Sequence, residues 1–345
     1  MKTKSDNTID LLKFIFAFFV VGIHTHLTNY IVNPQFRFYF ISLTFRLAVP
    51  FFFIVSGYYY GKKLWITPSS KSNKLCSYVS RLFPPLILWS FLTLFFNLPE
   101  LYARTGYDKH ACFILVLKYI FFYPLGAMWF VLACIIGACI ITLFWKHKIF
   151  LCLSAILCYT FGLLGNNYYF IALNNNLQTI IDKYNYHFIC TRNGFFVGFP
   201  LMFLGAMLAH PMLLQKIKNK ILLPLTVFSL FLLLAEIHYL YEKPYYDDRS
   251  LFISYLLFIP CLILCALKYN IFPNKSLIVA RELSTCIYYT HYFFINLMGF
   301  FVRDSIYAYL AVICCSICTY FISTKLPVLK KGVIGQNVLM ANPIL

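Results

Sequence analysis

The chain has 345 residues, 61% of them hydrophobic and only 12% charged, with a formal net charge of +18 and a mean hydropathy of +0.75. That composition excludes an ordinary water-soluble globule and points to an all-α, polytopic membrane protein. Continuous apolar runs exclude a β-barrel, whose strands alternate, and the basic excess is assigned to anionic lipid headgroups, with no nucleic acid as partner.

Apolar runs long enough to cross roughly 30 Å of hydrocarbon as a helix occur ten times. They lie at about 9–27, 38–60, 78–97, 122–144, 149–165, 192–210, 221–241, 251–268, 283–302 and 305–324. A bundle of about ten transmembrane helices is therefore expected, forming one membrane domain over residues 1–345, because neither a repeat nor a Gly/Ser-rich linker divides the chain. The first run is too long and too charged for a cleaved signal peptide. With the N-terminus cytoplasmic, the connections after spans 2, 4, 6 and 8 and the C-terminus are cytoplasmic too. These segments hold eighteen of the lysines and arginines against nine outside, while three acidic residues fall inside and seven outside. Positive charge retained on the cytoplasmic side gives that orientation.

Two outer connections are long, at about 98–121 and 166–191. The second concentrates Asn and Tyr, which either bind a polar ligand such as a sugar or form a solvated loop. Gly194, Gly198 and Gly205 read as close helix packing, not as a nucleotide loop. The thirteen cysteines lie mostly within apolar runs and read as small core residues. Cys315 and Cys318 form a CxxC with no second pair, so no metal is expected there.

An ionisable group inside hydrocarbon costs about 3 kcal/mol on insertion scales, so each one needs a partner, a cavity or a task. In span 1, Lys13 and His24 are eleven positions apart. At about 100° per residue this is within about 20° of three turns, with a rise of about 16 Å. One helix face therefore carries a cation at the inner mouth and an imidazole deep in the membrane, an arrangement that suits a cytosolic ligand with an anionic head and a long reactive arm. His26 points elsewhere, and Asp10 pairs with Lys13 or complements the helix N-terminus. Span 2 holds Arg46, Pro50, Ser56 and Gly57. Arg81 starts span 3, where it either snorkels to headgroups or binds phosphate. Trp129, Arg192, Glu236 and His291 follow in spans 4, 6, 7 and 9, Glu236 being read as a counter-ion for a buried arginine.

Together these segments resemble the acyltransferase 3 family of integral-membrane acyltransferases. "IDLLKFIFAFFVVGIHTHL" is similar to that family's first span, an aspartate, then an arginine or lysine, ten residues and a histidine, matched by Asp10, Lys13 and His24. "VPFFFIVSGYYYG", "SRLFPP", "MWFVL", "RNG" with "FLGAML", and "LSTCIYYTHYFF" resemble its later motifs, in order and over nearly the whole chain. Two departures stand out. Cys134 occupies a position where many relatives carry glutamate, and Lys13 replaces the commoner arginine, which keeps charge but loses bidentate phosphate geometry.

The resemblance implies a multi-pass protein of the bacterial inner (plasma) membrane, with no permanently bound cofactor and with acetyl-CoA or another acyl-CoA as cytosolic donor. It also implies a carbohydrate or lipid-linked glycan acceptor and His24 as the catalytic histidine, acting as base or nucleophile. Acyl transfer to a hydroxyl needs a general base that works near neutral pH, together with cations that stabilise the tetrahedral oxyanion. Lys13 and Arg81 are the expected donor-phosphate ligands, the acyl arm running along span 1 to His24. Asp10, Arg46, Ser56, Trp129, Arg192, Glu236 and His291 are expected to bind substrate or stabilise charge. The competing reading is a transporter or exporter of a small polar solute or glycan, which equally uses intramembrane Arg, Glu and His.

Overall fold

The structure is a computed structural model, and it describes residues 6–66, 70–269, 277–299, 301–302, 304–326, 330, 332–333 and 335. Lys2, Lys4, Lys275, Arg303 and Lys331, which enter the charge asymmetry, lie outside the described residues, as does Phe300 of the ninth predicted span. Among the described residues all regular structure is helical, and each of the ten apolar runs falls on helix.

The elements in order are α1 (Asn7–His24), α2 (Pro34–Leu43), α3 (Ala48–Ile66), α4 (Lys71–Arg104), α5 (Lys109–Phe121), α6 (Met128–Leu143), α7 (Lys148–Leu164), α8 (Tyr169–Asn174), α9 (Gln178–Phe188), α10 (Phe199–Leu208), α11 (Leu213–Lys216), α12 (Asn219–Leu240), α13 (Tyr255–Lys268), α14 (Ile278–Met298) and α15 (Ser305–Lys325). By length and composition five helical stretches can cross a membrane: α1, the run Pro34–Ile66, α4, α12 and α15. Shorter apolar helices lie at Met128–Leu143, Lys148–Leu164, Gly194–Leu208 and Tyr255–Lys268.

Three local departures from the expected pattern shape the fold. The second apolar run is broken: α2 and α3 are separated at Thr44, whose hydroxyl donates to the Phe40 carbonyl at 2.6 Å, and by a tight turn at Phe45–Leu47. That back-bond competes with the helical ladder, and it leaves Arg46 on a turn and not inside a continuous helix. Next, the stretch expected to be a loop at 98–121 is mostly helix, since α4 runs for 34 residues, about 50 Å, and α5 follows. Finally, the Asn/Tyr-rich stretch 166–191 is largely helical, as α8 and α9, with Asn174, Asn175 and Asn176 exposed where the two meet and its first residues tied into the fold. Asn166 and Asn167 are buried; the Asn166 Oδ1 accepts from the Leu251 amide at 2.9 Å, and the Asn167 amide donates to the Arg249 and Leu251 carbonyls. Tyr168 donates to Glu236 at 2.6 Å.

The core forms where glycines let backbones touch. A Cβ on Gly205 of α10 would collide with the Ile54 carbonyl of α3, and one on Gly57 with the Met202 carbonyl. Gly198 stands where a Cβ would lie 2.8 Å from the Ala133 oxygen of α6. Small residues at such seams permit the close van der Waals packing that holds membrane helices together. α1 packs chiefly on α14, and α14 on α15, which brings the end of the first helix beside the middle of the fourteenth.

Candidate active site

α1 ends at His24, because His26 adopts a left-handed conformation with φ of 54°. The His24 ring lies 5.3 Å, centroid to centroid, from His291 of α14, and Tyr292 meets it edge-on at 5.5 Å. His291 is fully buried (0% exposed), with Nδ1 2.8 Å from the Tyr288 carbonyl and 3.1 Å from that of Ile287. A carbonyl accepts only, so Nδ1 carries the proton and Nε2 presents a lone pair. That Nε2 is buried and has no partner among the described residues. A neutral imidazole with an unspent lone pair beside the catalytic candidate is the arrangement a proton-transfer site requires.

The wall around this pair comes from the turn before α6. Gly126, at φ +66°, packs its backbone onto the Tyr292 ring. Tyr123 and Trp129 stack at 5.6 Å with an interplanar angle of 9°. Over them lies the Arg192 guanidinium, 5.3 Å from the Trp129 ring and 5.9 Å from that of Tyr123. Arg192 is ion-paired to Asp247 at 3.3 Å and more closely to Asp248, and both Arg192 and Asp248 are within electrostatic reach of His24. The two carboxylates differ. Burial pushes the Asp247 carboxyl up to about 6 against the pull of Arg192. Asp248 is buried as well, but Arg192 and Arg46 together hold it below the usual carboxylate range.

Glu236 is not the counter-ion of these arginines. Its carboxylate accepts from the Ile253 amide at 2.6 Å, the Ser254 amide at 2.7 Å and the Tyr168 hydroxyl, so it caps the start of α13, where amides lack helical partners. Asp247 and Asp248 take the role expected of it. They were missed because a carboxylate pair in an outer connection reads as solvated; the signal was the adjacency "DDR" after a run of tyrosines. Tyr123 and Tyr292 were missed because each lies within an aromatic-rich stretch, FFY and HYFF, where one more ring carries no signal.

At the N-terminal end of α1, Lys13 pairs with Asp10 at 3.4 Å and lies over the Tyr59 ring at 4.6 Å. Arg281 of α14 approaches the same carboxylate at 3.9 Å. Between Lys13 and His24 on α1, Phe16, Ala17, Val20 and Val21 are buried in apolar clusters. Polar groups instead follow a line between α3, α4, α6 and α14. The exposed Arg81 sits over the Tyr78 ring at 5.7 Å, Tyr78 and Ser56 share a hydrogen bond of 2.6 Å, and the buried Cys134 thiol reaches both. Tyr288 stands within electrostatic reach of both Cys134 and Arg192. Arg46 lies within the electrostatic reach of Asp248 and Arg192.

A family model described as an acyltransferase domain matches residues 6–325. The chain is 25% identical over 351 aligned residues to a serine/alanine racemase of Enterococcus gallinarum, covering 99% of this chain and 45% of that protein. It is 28% identical over 326 residues to an amino-acid racemase of Enterococcus faecalis, covering 90% of this chain and 45% of that protein. The chain thus spans about half the length of these relatives. No solved structure matches.

Proposed function

The chain belongs to the acyltransferase 3 family, and from that premise we propose that it transfers an acyl group, acetyl in the first instance, from cytosolic acyl-CoA to a hydroxyl of a cell-surface or lipid-linked carbohydrate. It does so as a ten-span protein of the bacterial inner (plasma) membrane with both termini cytoplasmic. The observation that carries the reading is the His24–His291 pair, set 5.3 Å apart beside an arginine held by two carboxylates.

In this mechanism His24 takes the proton of the acceptor hydroxyl as its oxygen attacks the thioester carbonyl. The new C–O bond forms, the carbonyl electron pair moves to oxygen, and Arg192 stabilises that oxyanion. Collapse breaks the C–S bond, and the departing thiolate recovers the proton from the His24 imidazolium. If His24 attacks first, its C–N bond forms as the C–S bond breaks and the CoA thiolate leaves; the acceptor oxygen then attacks the acyl-imidazole, the C–N bond breaks, and the hydroxyl proton passes to the CoA thiolate. His291 holds the second imidazole in register, and Trp129 shapes the wall. At the inner surface Lys13 and Arg281 share the single Asp10 carboxylate, so the pair keeps a net positive charge for the donor phosphates, joined by Arg81 and by headgroups of the membrane lipids. The acyl arm follows the Tyr78, Ser56 and Cys134 line. Purified protein given labelled acetyl-CoA and candidate glycans should transfer label, and His24→Ala should abolish transfer with the fold intact; full activity in that variant would end the proposal.

The second reading, transport of a small polar solute, is favoured by one observation: the relatives are named for acting on amino acids. Uptake of labelled serine or alanine into proteoliposomes, without acyl-CoA consumption, would select it.

A further inference from the structure

Beside the Arg192 cluster the outer face holds a cavity of about 630 Å³ between α2, the Arg46 turn and the connection from α12 to α13. Its volume lies in the range of small-ligand sites, roughly 300–1,000 Å³. Three arginines, Arg37, Arg46 and Arg249, line it against one carboxylate, Glu242. No carboxylate forms an ion pair with any of the three among the described residues. Two of the guanidiniums carry buried nitrogens without a hydrogen-bond partner, Nη1 of Arg46 and Nε of Arg249.

The Arg249 position is fixed. Its guanidinium lies between the rings of Phe38, at 4.1 Å, and Tyr245, at 4.3 Å, and donates to the Leu240 and Tyr241 carbonyls. Arg46 faces the same Phe38 ring at 5.9 Å. Guanidiniums that line such a hollow without a carboxylate partner match the paired oxygens of a carboxylate or phosphate. Asp248, next to Arg249, is within electrostatic reach of both Arg46 and Arg192, so the cavity adjoins the site that holds His24.

We infer that this cavity binds the oxyanion of an anionic acceptor, a carboxylate- or phosphate-bearing sugar, by Arg37, Arg46 and Arg249, with Phe38 and Tyr245 against its ring. The inference rests on the acyltransferase reading for the word acceptor, but the binding stands apart from the chemistry. The cavity therefore selects acidic glycans over neutral ones.

The test uses the full chain purified in detergent and in nanodiscs, with glucuronate, inorganic phosphate and glucose as probes, read by thermal shift and by saturation-transfer NMR. Glucuronate and phosphate should bind and glucose should not. Arg46→Gln should weaken glucuronate by about ten- to a hundredfold, Arg46→Lys should restore part of it, and Arg37→Gln should weaken it less. His24→Ala should bind glucuronate as wild type does while losing transfer; full transfer by that variant with binding retained would sink the acyltransferase reading and leave the cavity standing. Equal binding of glucose and glucuronate, or wild-type binding by folded Arg46→Gln, would overturn the inference. Stabilisation by phosphatidylglycerol nanodiscs alone, with neither soluble anion binding, would assign the cavity to a lipid headgroup and overturn the acceptor.

Discussion

Asp247→Asn should make the protein more stable at neutral pH, although the substitution removes one carboxylate of an ion pair. The Asp247 side chain is 20% exposed, and burial outweighs Arg192, lifting its carboxyl from 3.8 to about 6. Between those two values the folded state binds the proton and the unfolded state does not. Stability falls with rising pH wherever the folded state holds more protons, so ionised Asp247 opposes folding throughout the neutral range. The difference of roughly 2 pK units corresponds to about 3 kcal/mol at most. Arg192 keeps Asp248, whose carboxyl lies low and whose own contribution is present above 3.8 and lost as pH falls through its depressed folded value. Thermal unfolding in detergent, followed by tryptophan and tyrosine fluorescence from pH 4 to 8, should show wild type losing stability between about pH 4 and 6. The Asn variant should stay flatter and lie above it at pH 7.5. An Asn variant that melts lower than wild type at pH 7.5 would mean that Asp247 is a net stabilising partner of Arg192, contrary to the balance drawn here.

Three further outcomes follow from named contacts. Lys13→Gln should raise the KM for acyl-CoA about tenfold, the worth of one charge-assisted contact, with kcat little changed; an unmoved donor KM would remove Lys13 from phosphate binding. Gly205→Ala places a methyl against the Ile54 carbonyl and should destabilise by roughly 1–3 kcal/mol, read as a lower melting temperature. Glu236→Ala strips the Ile253 and Ser254 amides of their acceptor and should cost about 2 kcal/mol in stability while leaving donor KM unchanged, since the residue touches no donor group.

Much of the architecture was legible because lipid imposes one rule: a spanning segment must bury its own amides and present apolar side chains. The ten runs, the close packing at Gly198 and Gly205 and the Lys13–Asp10 pair all follow from local pattern. So did the candidacy of His24 and His291, since an ionisable group in an apolar run is conspicuous. What stayed hidden was pairing across the sequence. Nothing local tells that Asp248 reaches Arg192 56 positions away, or that Glu236 turns to the Ile253 and Ser254 amides just before α13. Equally, the shared face of Lys13 and His24 was correctly read as periodicity, but periodicity does not report what fills the groove between them, and Phe16 and Val20 fill it. Thr44 broke the second run through one hydroxyl that hydropathy cannot register.

Asn166 and Asn167 lie far in sequence from every residue assigned to chemistry, yet they clasp the segment from Tyr246 to Leu251 at three backbone positions. The strip bearing Asp247, Asp248 and Arg249 is in consequence a buttressed plate, not a flap: ligands must come to it ready-shaped. Changing what the outer face recognises would then require exchanging residues 166–167 and 241–254 as a unit, because either half grafted alone would arrive without its fastening.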